Sequence, residues 1–205
     1  VGEAPLLEAL VFNVHSSGDP QAVVRLLENQ RAVDVVGLLE ITPRWKAPLA
    51  DALAHWPHQV YHPRDDNFGL LLASRWPLQA PSVAEDVLGL PIITATLAPP
   101  HSEPLDFVLV HPPPPMGEVG TRVRDESLRT YAKLQRRSRD GVLAGDFNAT
   151  LWSRALAPLA QAGYRPVRRD AGARGTWPAH YGPFAIGIDH AFVRGHLTAT
   201  GFEVL

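Results

Sequence analysis

Short apolar stretches separated by polar turns run through the whole chain and predict a protein with many β-strands. The stretch at residues 33–41 is almost entirely apolar, as expected for a strand that is buried on both faces. Residues 60–62 and 68–74 flank a polar turn and predict an antiparallel hairpin. Further strands are predicted at residues 6–13, 92–97, 105–110, 142–144, 186–193 and 199–205.

Helical periodicity appears between several of these strands. Asp19 is predicted to cap a helix that begins at Pro20, and Thr42 to cap a second helix that begins at Pro43. Residues 121–139 predict the longest helix, with its basic residues facing outward, and residues 153–162 predict a helix that Gly163 ends. The 205 residues, 45% of them hydrophobic, fit one domain with a sizeable core.

Polar residues stand at the ends of several apolar stretches, where packing does not require them. Asn13 and His111 each end one stretch, Glu40 interrupts another near its end, and Asp146 and Asn148 follow a fourth. A carboxylate inside a core is costly, so Glu40 must pair with a cation, bind a metal or reach solvent. Asp146 and Asn148 stand two residues apart, which places both side chains on one side of an extended backbone. The repeated pattern favours a functional site at the strand ends.

Each position also has a purely structural interpretation. Glu40 can form a salt bridge with an arginine, and His111 can be a hydrogen-bonded histidine at the edge of the fold. Asp146 and Asn148 are residue types that are common in turns. Residues 65–67 are ranked only as candidate substrate contacts, since a plain turn explains them equally well.

Composition restricts the class of protein only a little. The chain has no cysteine, which excludes disulfides and thiolate metal sites. No apolar stretch is long enough to cross a bilayer, so we expect a soluble domain. The chain begins at Val1 rather than at a methionine, and we expect an upstream segment, such as a signal or membrane segment, to have been removed or omitted.

Charge is distributed unevenly along the chain. Residues 1–120 contain six Lys and Arg against fourteen Asp and Glu, whereas residues 121–205 contain thirteen against seven. Most of the positive charge lies at residues 122–139 and 165–174. A basic surface suits an anionic partner such as nucleic acid or a phosphorylated headgroup, although a solvated helix face explains it equally well.

The polar strand ends, taken in order, resemble the endonuclease/exonuclease/phosphatase superfamily, which includes deoxyribonuclease I, abasic-site endonucleases, neutral sphingomyelinases and inositol-phosphate phosphatases. The likeness spans the whole chain and is closest to bacterial members that often carry an amino-terminal membrane segment. The residues that carry it are Asn13, Glu40, His111, Gly145-Asp146-Phe147-Asn148 and Ile188-Asp189-His190.

The resemblance implies a single domain over residues 1–205 with a four-layer α/β sandwich, in which two mostly antiparallel β-sheets lie face to face, flanked by helices. It also implies roles for the polar residues at one rim of the sheets. Glu40 would be the main carboxylate ligand of a Mg²⁺ or Mn²⁺ ion, with Asn13 beside it. Asp146 would orient or deprotonate the attacking water, Asn148 would hold that water and the phosphate, His111 would donate to a phosphate oxygen, and Asp189 would join the same cluster.

These residue types suit the hydrolysis of a phosphate ester, which needs its negative oxygens neutralised and a water aimed in line. Oxygen ligands such as Glu40 suit Mg²⁺, which keeps several of its waters. His111 and Asn148 can donate hydrogen bonds where negative charge accumulates. Zinc is disfavoured, since the chain has no cysteine and no histidine pair at ligand spacing.

The chain departs from the family in one respect. The family normally ends with a Ser-Asp-His motif about a strand and a turn after the position of Asp189. This sequence stops at Leu205, before that motif and before the family's last strand. We expect the motif to lie in a tail beyond Leu205 rather than to be missing, because the sequence otherwise ends inside a strand and leaves a sheet edge unpaired.

We therefore expect a divalent-metal-dependent phosphodiesterase or nuclease that acts as a monomer on a phosphate ester such as nucleic acid. One alternative is a phospholipid or inositol-phosphate phosphoesterase, because loops rather than the fold select the substrate. Another is a catalytically inactive phosphate-binding module. Membrane contact is expected only through an amino-terminal segment that this sequence does not include.

Overall fold

In the computed structural model, which describes residues 7–100, 102–168, 175–177 and 186–204, the strands form two β-sheets. The first sheet has the order β1-β2-β4-β3 and consists of β1 (Ala9–Asn13), β2 (Val35–Leu39), β3 (His58–His62) and β4 (Leu70–Ser74). The second has the order β5-β6-β7-β8-β10-β9 and consists of β5 (Leu78–Glu85), β6 (Pro91–Leu97), β7 (Leu105–Val110), β8 (Asp140–Asp146), β9 (Arg165–Pro166) and β10 (Asp189–Arg194). Among the described strands only the β1–β2 and β7–β8 pairs are parallel, so both sheets are mostly antiparallel, as predicted.

The helices are α1 (Pro20–Asn29), α2 (Lys46–Leu53), α3 (Gly117–Ala132) and α4 (Ala157–Gln161), and short 3₁₀ turns lead into α2 and α4. Asp19 caps α1 as predicted, since its carboxylate accepts a hydrogen bond from the Gln21 backbone at 3.0 Å. None of the helices that the structure describes is long and apolar enough to cross a bilayer.

Three apolar clusters hold the layers together. The first joins α1 and α2 to the outer face of the first sheet and contains Trp45 and Trp56, both fully buried. The second fills the space between the sheets, where Gly37 lets β2 approach the Leu109 side chain. The third joins α3 and α4 to the outer face of the second sheet around Tyr131 and other buried residues. The predicted four-layer α/β sandwich is confirmed.

Two β-α-β units bring the polar strand ends to one rim. In each sheet a parallel pair, β1 with β2 and β7 with β8, is connected through a helix, so the carboxyl ends of both strands lie at the same edge. β1 and β2 also lie against β8 of the facing sheet. The ends of β1 and β2 are therefore placed beside the ends of β7 and β8, and these ends carry the predicted site residues.

Gly145 allows the close pairing of β7 with β8. Its φ is 153°, and a Cβ added there would lie 1.9 Å from the Val110 carbonyl oxygen, which is backbone and cannot rotate away. We expect Gly145→Ala to destabilise the domain by roughly 3 kcal/mol or more, because the strand pair itself has to shift. Urea unfolding of this variant beside Gly163→Ala measures the effect. Gly163 has φ 86° and open space around it, so its variant tests strain without a clash.

Several predicted elements have different bounds in the structure. Thr42 does not cap a helix with its side chain; the segment begins with a 3₁₀ turn instead. The longest helix, predicted at residues 121–139, spans Gly117–Ala132. It ends early because the backbone N–H groups of Arg137 and Ser138 donate to the Asp106 carboxylate, at 2.9 and 3.0 Å, instead of continuing the helix. Arg124 is buried in this helix, although its basic residues were predicted to face outward.

Two strand predictions also need correction, and the strand β5 was not predicted. The strand predicted at residues 186–193 begins only at Asp189, so Asp189 lies at its start rather than in its middle. No strand forms over residues 199–204, the described part of the predicted last strand. β5 was missed because it is an exposed edge strand, with Pro81 at a break in its register and no continuous apolar side.

Candidate active site

Glu40 directly follows β2 and is held by two hydrogen bonds. Its Oε1 accepts from Asn13 Nδ2 at 2.7 Å, and its Oε2 accepts from the Ser16 backbone N–H at 2.9 Å. The residue is buried, with 7% of its surface exposed. Among the described residues no arginine or lysine forms an ion pair with it, so the salt-bridge interpretation fails there.

The Asn13 amide has a defined orientation. Its Oδ1 accepts from the His15 backbone N–H at 2.9 Å, while its Nδ2 donates to Glu40. Asn13 therefore holds the Glu40 carboxylate in place, and its amide oxygen keeps one lone pair for a further contact. Its assignment as a metal ligand stays a prediction.

Asp146 ends β8 and lies directly opposite Asp189 in the antiparallel pairing of β8 with β10. Its Oδ1 accepts from the Asn148 backbone N–H at 2.9 Å. Burial raises the pKa of Asp146 to about 7, and the charges of Asp189 and Glu40 act in the same direction, against hydrogen bonds from Asn148 and Asn13. Residues of both sheets therefore influence this carboxyl.

The raised pKa predicts how stability depends on pH in the metal-free domain. The folded protein holds the Asp146 proton up to about pH 7, whereas an unfolded chain releases it near 3.8. The contribution to the free energy of unfolding is therefore greatest below pH 4 and is lost as pH rises through 7. We expect Asp146→Asn to be more stable than wild type at pH 8 by on the order of 2–4 kcal/mol in chelator, and this difference to vanish towards pH 4. Urea unfolding at pH 4, 6 and 8 measures it, and an equal difference at all three values would contradict the assignment.

His111 follows β7, and Val110 before it pairs with Gly145, which brings His111 beside Asp146. Its Nε2 lies 3.7 Å from Asp146 Oδ2, and its ring packs against Phe68 with 5.4 Å between ring centroids. Burial lowers the pKa of His111, although the charge of Glu40 and the Asn67 backbone oppose this. The imidazole is therefore neutral at pH 7 and can donate one hydrogen bond. Its Nδ1 is buried and has no hydrogen-bond partner among the described residues.

Hydrogen bonds from several elements hold the loop after β8 in place. Asn148 Nδ2 donates to the Pro112 carbonyl at 2.9 Å, and the Asn148 carbonyl accepts from Arg124 Nη1 at 2.6 Å. His190 Nε2 donates to the Ala149 carbonyl at 2.8 Å. Asn148 thus keeps one N–H and its amide oxygen for a substrate or water, while Arg124 and His190 position the loop.

Asp189 stands at the first position of β10, beside Thr176. The Thr176 hydroxyl accepts from the backbone N–H groups of Ile188 and Asp189, at 3.0 and 3.2 Å. Burial raises the pKa of Asp189, and a hydrogen bond from Thr176 opposes this.

Backbone strain is concentrated at the same rim. Four described residues other than glycine have positive φ, and three of them are His15 at 59°, Glu40 at 61° and Asn148 at 48°. Asn and His adopt this conformation more readily than other residues, so Glu40 is the most strained of the three, and such strain often occurs at functional sites.

Several contributors to the site carry no signal in the sequence. The Ser16 N–H reaches Glu40 only because the loop after β1 folds back, and its hydroxyl donates to Asn67 at 2.9 Å. Of the turn at residues 65–67, Asp66 is engaged with Arg64 at 2.7 Å, which accounts for it structurally. Asn67 lies at the rim through its contact with Ser16.

The donor set at this rim suits a hard divalent cation. Glu40, Asp146 and Asp189 are buried or half-buried carboxylates that share the rim, and none of them is paired with arginine or lysine within the described chain. No group of three or more His, Cys, Asp or Glu side chains in that part is placed so that the group could hold a metal ion by itself. Mg²⁺ requires less than a cage, because it binds through one or two carboxylates and keeps its waters.

Comparison with known proteins identifies the family of this chain. The sequence profile described as "Endonuclease/Exonuclease/phosphatase family" matches residues 10–205. The chain belongs to this family. Endonucleases, exonucleases and phosphatases all hydrolyse phosphoester bonds, so the chain is placed among phosphoester hydrolases. No curated protein matches it by sequence.

Solved structures share the fold of this Endonuclease/Exonuclease/phosphatase family member. A Beutenbergia cavernae endonuclease/exonuclease/phosphatase aligns with TM-score 0.72 at 20% identity, covering 92% of this chain and 64% of that one. D. rerio TDP2 complexed with single-strand DNA product aligns with TM-score 0.72 at 17% identity, covering 96% and 86%. Staphylococcus aureus beta toxin with bound magnesium ions aligns with TM-score 0.69 at 12% identity, covering 92% and 83%.

Proposed function

We propose that this protein is a Mg²⁺- or Mn²⁺-dependent phosphodiesterase that hydrolyses its substrate by in-line attack of water. The observation that carries the proposal is the meeting of Glu40, Asp146 and Asp189 at one rim without a compensating arginine or lysine among the described residues. A cation supplied from solution would balance these carboxylates. The magnesium ions bound by the structurally similar beta toxin support the choice of metal.

The roles follow from the hydrogen bonds. Glu40, fixed by Asn13 and Ser16, would hold the cation, and Asn13 would contribute its amide oxygen. Bound there, the cation would neutralise charge on the phosphate oxygens and favour ionisation of Asp146. The ionised Asp146 would accept a proton from the attacking water.

The neutral His111 and the free N–H of Asn148 would donate to phosphate oxygens, where negative charge grows during the reaction. Asp189 lies opposite Asp146, and its charge helps to raise the pKa of Asp146. Asp146 is therefore a stronger base than an exposed aspartate. The proposal therefore combines a cation site, a base and two donors at one rim.

Turnover of bis(p-nitrophenyl) phosphate tests the proposal. We expect hydrolysis with Mg²⁺ or Mn²⁺ that stops in EDTA and returns when the metal is restored. The monoester p-nitrophenyl phosphate should be cleaved more slowly. Absence of metal-dependent turnover on either compound, with the protein shown to be folded by circular dichroism, would instead support the phosphate-binding module.

A further inference from the structure

Large exposed apolar side chains are concentrated around the candidate active site. Nine such residues occur in the described part of the chain, and five of them lie on the segments next to His111, Asp146 and Asp189. These five form what we call the apolar rim: Met116, Val119, Trp152, Trp177 and Ile186.

Each member of the apolar rim is tied to the site by the backbone. Met116 and Val119 lie at the start of α3, whose Arg124 holds the Asn148 carbonyl. Trp152 follows the same loop and, with Leu151, Arg168, Gly187 and His190, lines a small cavity. Trp177 and Ile186 pair with each other through backbone hydrogen bonds of 2.9 and 2.7 Å, just before Asp189.

The exposure of these side chains is high for their size. Met116 is 78% exposed, Trp152 67% and Trp177 58%. Scattered single apolar residues are ordinary on protein surfaces, but a group on the segments that border a polar site is typical of a surface that contacts an apolar partner. The group combines aliphatic and tryptophan side chains, and tryptophan prefers the boundary between water and lipid.

In the part of the chain that the structure describes, one basic cluster lies away from the apolar rim. Lys133, Arg136, Arg137 and Arg139 are in the segment that precedes β8, whereas Asp146 ends β8, about 20 Å away at 3.3 Å per residue. At the start of α3, Arg122 pairs with Glu118 at 2.9 Å. In the described segments that carry the apolar rim, Arg154 is exposed and has no ion pair. A nucleic acid at this rim would need more cations than that to follow its phosphates.

We propose that the apolar rim docks on a phospholipid surface, so that the diester presented to the site is a lipid headgroup. The hydrolysis of that diester rests on the proposed function, whereas the docking rests on the apolar rim alone. Aliphatic and tryptophan side chains would enter the interfacial region, and Arg154 would meet a lipid phosphate. Because docking is mostly apolar, it requires no net negative charge on the membrane.

Vesicle binding in EDTA tests the docking apart from catalysis. We expect the protein to sediment with phosphatidylcholine vesicles, with a blue shift of tryptophan fluorescence, and to bind about equally at 50 and 500 mM NaCl. Failure to bind, or binding that salt abolishes, would overturn the inference. So would tight, salt-sensitive binding of single-stranded DNA together with no binding to vesicles.

Single substitutions locate the surface. Trp152→Ser and Val119→Ser are expected to weaken partitioning roughly three- to tenfold each, from the apolar area they withdraw. Val83→Ser is the matched control, because Val83 is an exposed valine in β5 outside the apolar rim. Equal partitioning of all three variants, each folded by thermal melting, would contradict the assignment. Vesicle binding by a protein that cleaves no soluble diester would refute the proposed function and leave the docking intact. Turnover of the soluble diester without vesicle binding would refute the docking and leave the proposed function intact.

Discussion

Asp146→Asn is expected to abolish phosphodiester hydrolysis at every metal concentration, lowering kcat by roughly a thousandfold or more. The substitution keeps the shape of the side chain and an oxygen that can accept the Asn148 N–H, which Asp146 Oδ1 now accepts at 2.9 Å. It removes the group that takes the proton from water. The loss is therefore chemical rather than structural, and the variant should be at least as stable as wild type at pH 8.

Steady-state turnover of bis(p-nitrophenyl) phosphate over a range of Mg²⁺ concentrations measures this loss. Asp140→Asn is the control, since Asp140 begins the same strand at its other end and accepts from the His196 backbone at 2.7 Å. That variant should retain wild-type kcat. Recovery of Asp146→Asn at high Mg²⁺ would show that Asp146 acts as a metal ligand and not as the base.

Glu40→Gln is expected to raise the metal concentration needed for half-maximal activity by roughly ten- to a hundredfold. The carboxylate accepts hydrogen bonds at both oxygens, from Asn13 at 2.7 Å and Ser16 at 2.9 Å. Glutamine has one oxygen acceptor, so it must lose one of these contacts as well as the negative charge that attracts the cation. The effect should be large at low metal and small at saturating metal.

Activity titrated with Mg²⁺ and, separately, with Mn²⁺ distinguishes a weakened ligand from a disrupted fold. Glu85→Gln provides the control, because Glu85 is an exposed residue at the end of β5. It should titrate as wild type does. An unchanged metal requirement in Glu40→Gln, with kcat reduced at all concentrations, would remove Glu40 from the metal site.

Much of the fold and of the site could be predicted from the sequence, because its strongest signals are local. Buried strands such as β2 and β7 are continuous apolar stretches, and Asp19-Pro20 marks the start of α1. A buried polar residue at the end of such a stretch is costly unless it binds a partner, and this cost singles out Glu40 and Asp146 from the sequence alone.

The remaining features depend on contacts between distant parts of the chain. The early end of α3 follows from the Asp106 carboxylate, which captures the backbone of residues 137 and 138. Arg124 is buried because it holds the Asn148 carbonyl, 24 positions further along. The pKa of Asp146 depends on Asp189 across the sheet. No periodicity within a short window carries such information, and an edge strand such as β5 lacks even the apolar side that marks a strand.

A crystal of the protein grown with Mn²⁺ tests most directly whether carboxylates from both sheets surround one cation site. Anomalous diffraction locates the ion without reference to activity or substrate. The account predicts a peak within about 2.5 Å of a Glu40 carboxylate oxygen, on the side that faces Asp146 and Asn13. A Mn²⁺ peak elsewhere, with the Glu40 carboxylate in contact only with Asn13 and Ser16, would contradict it.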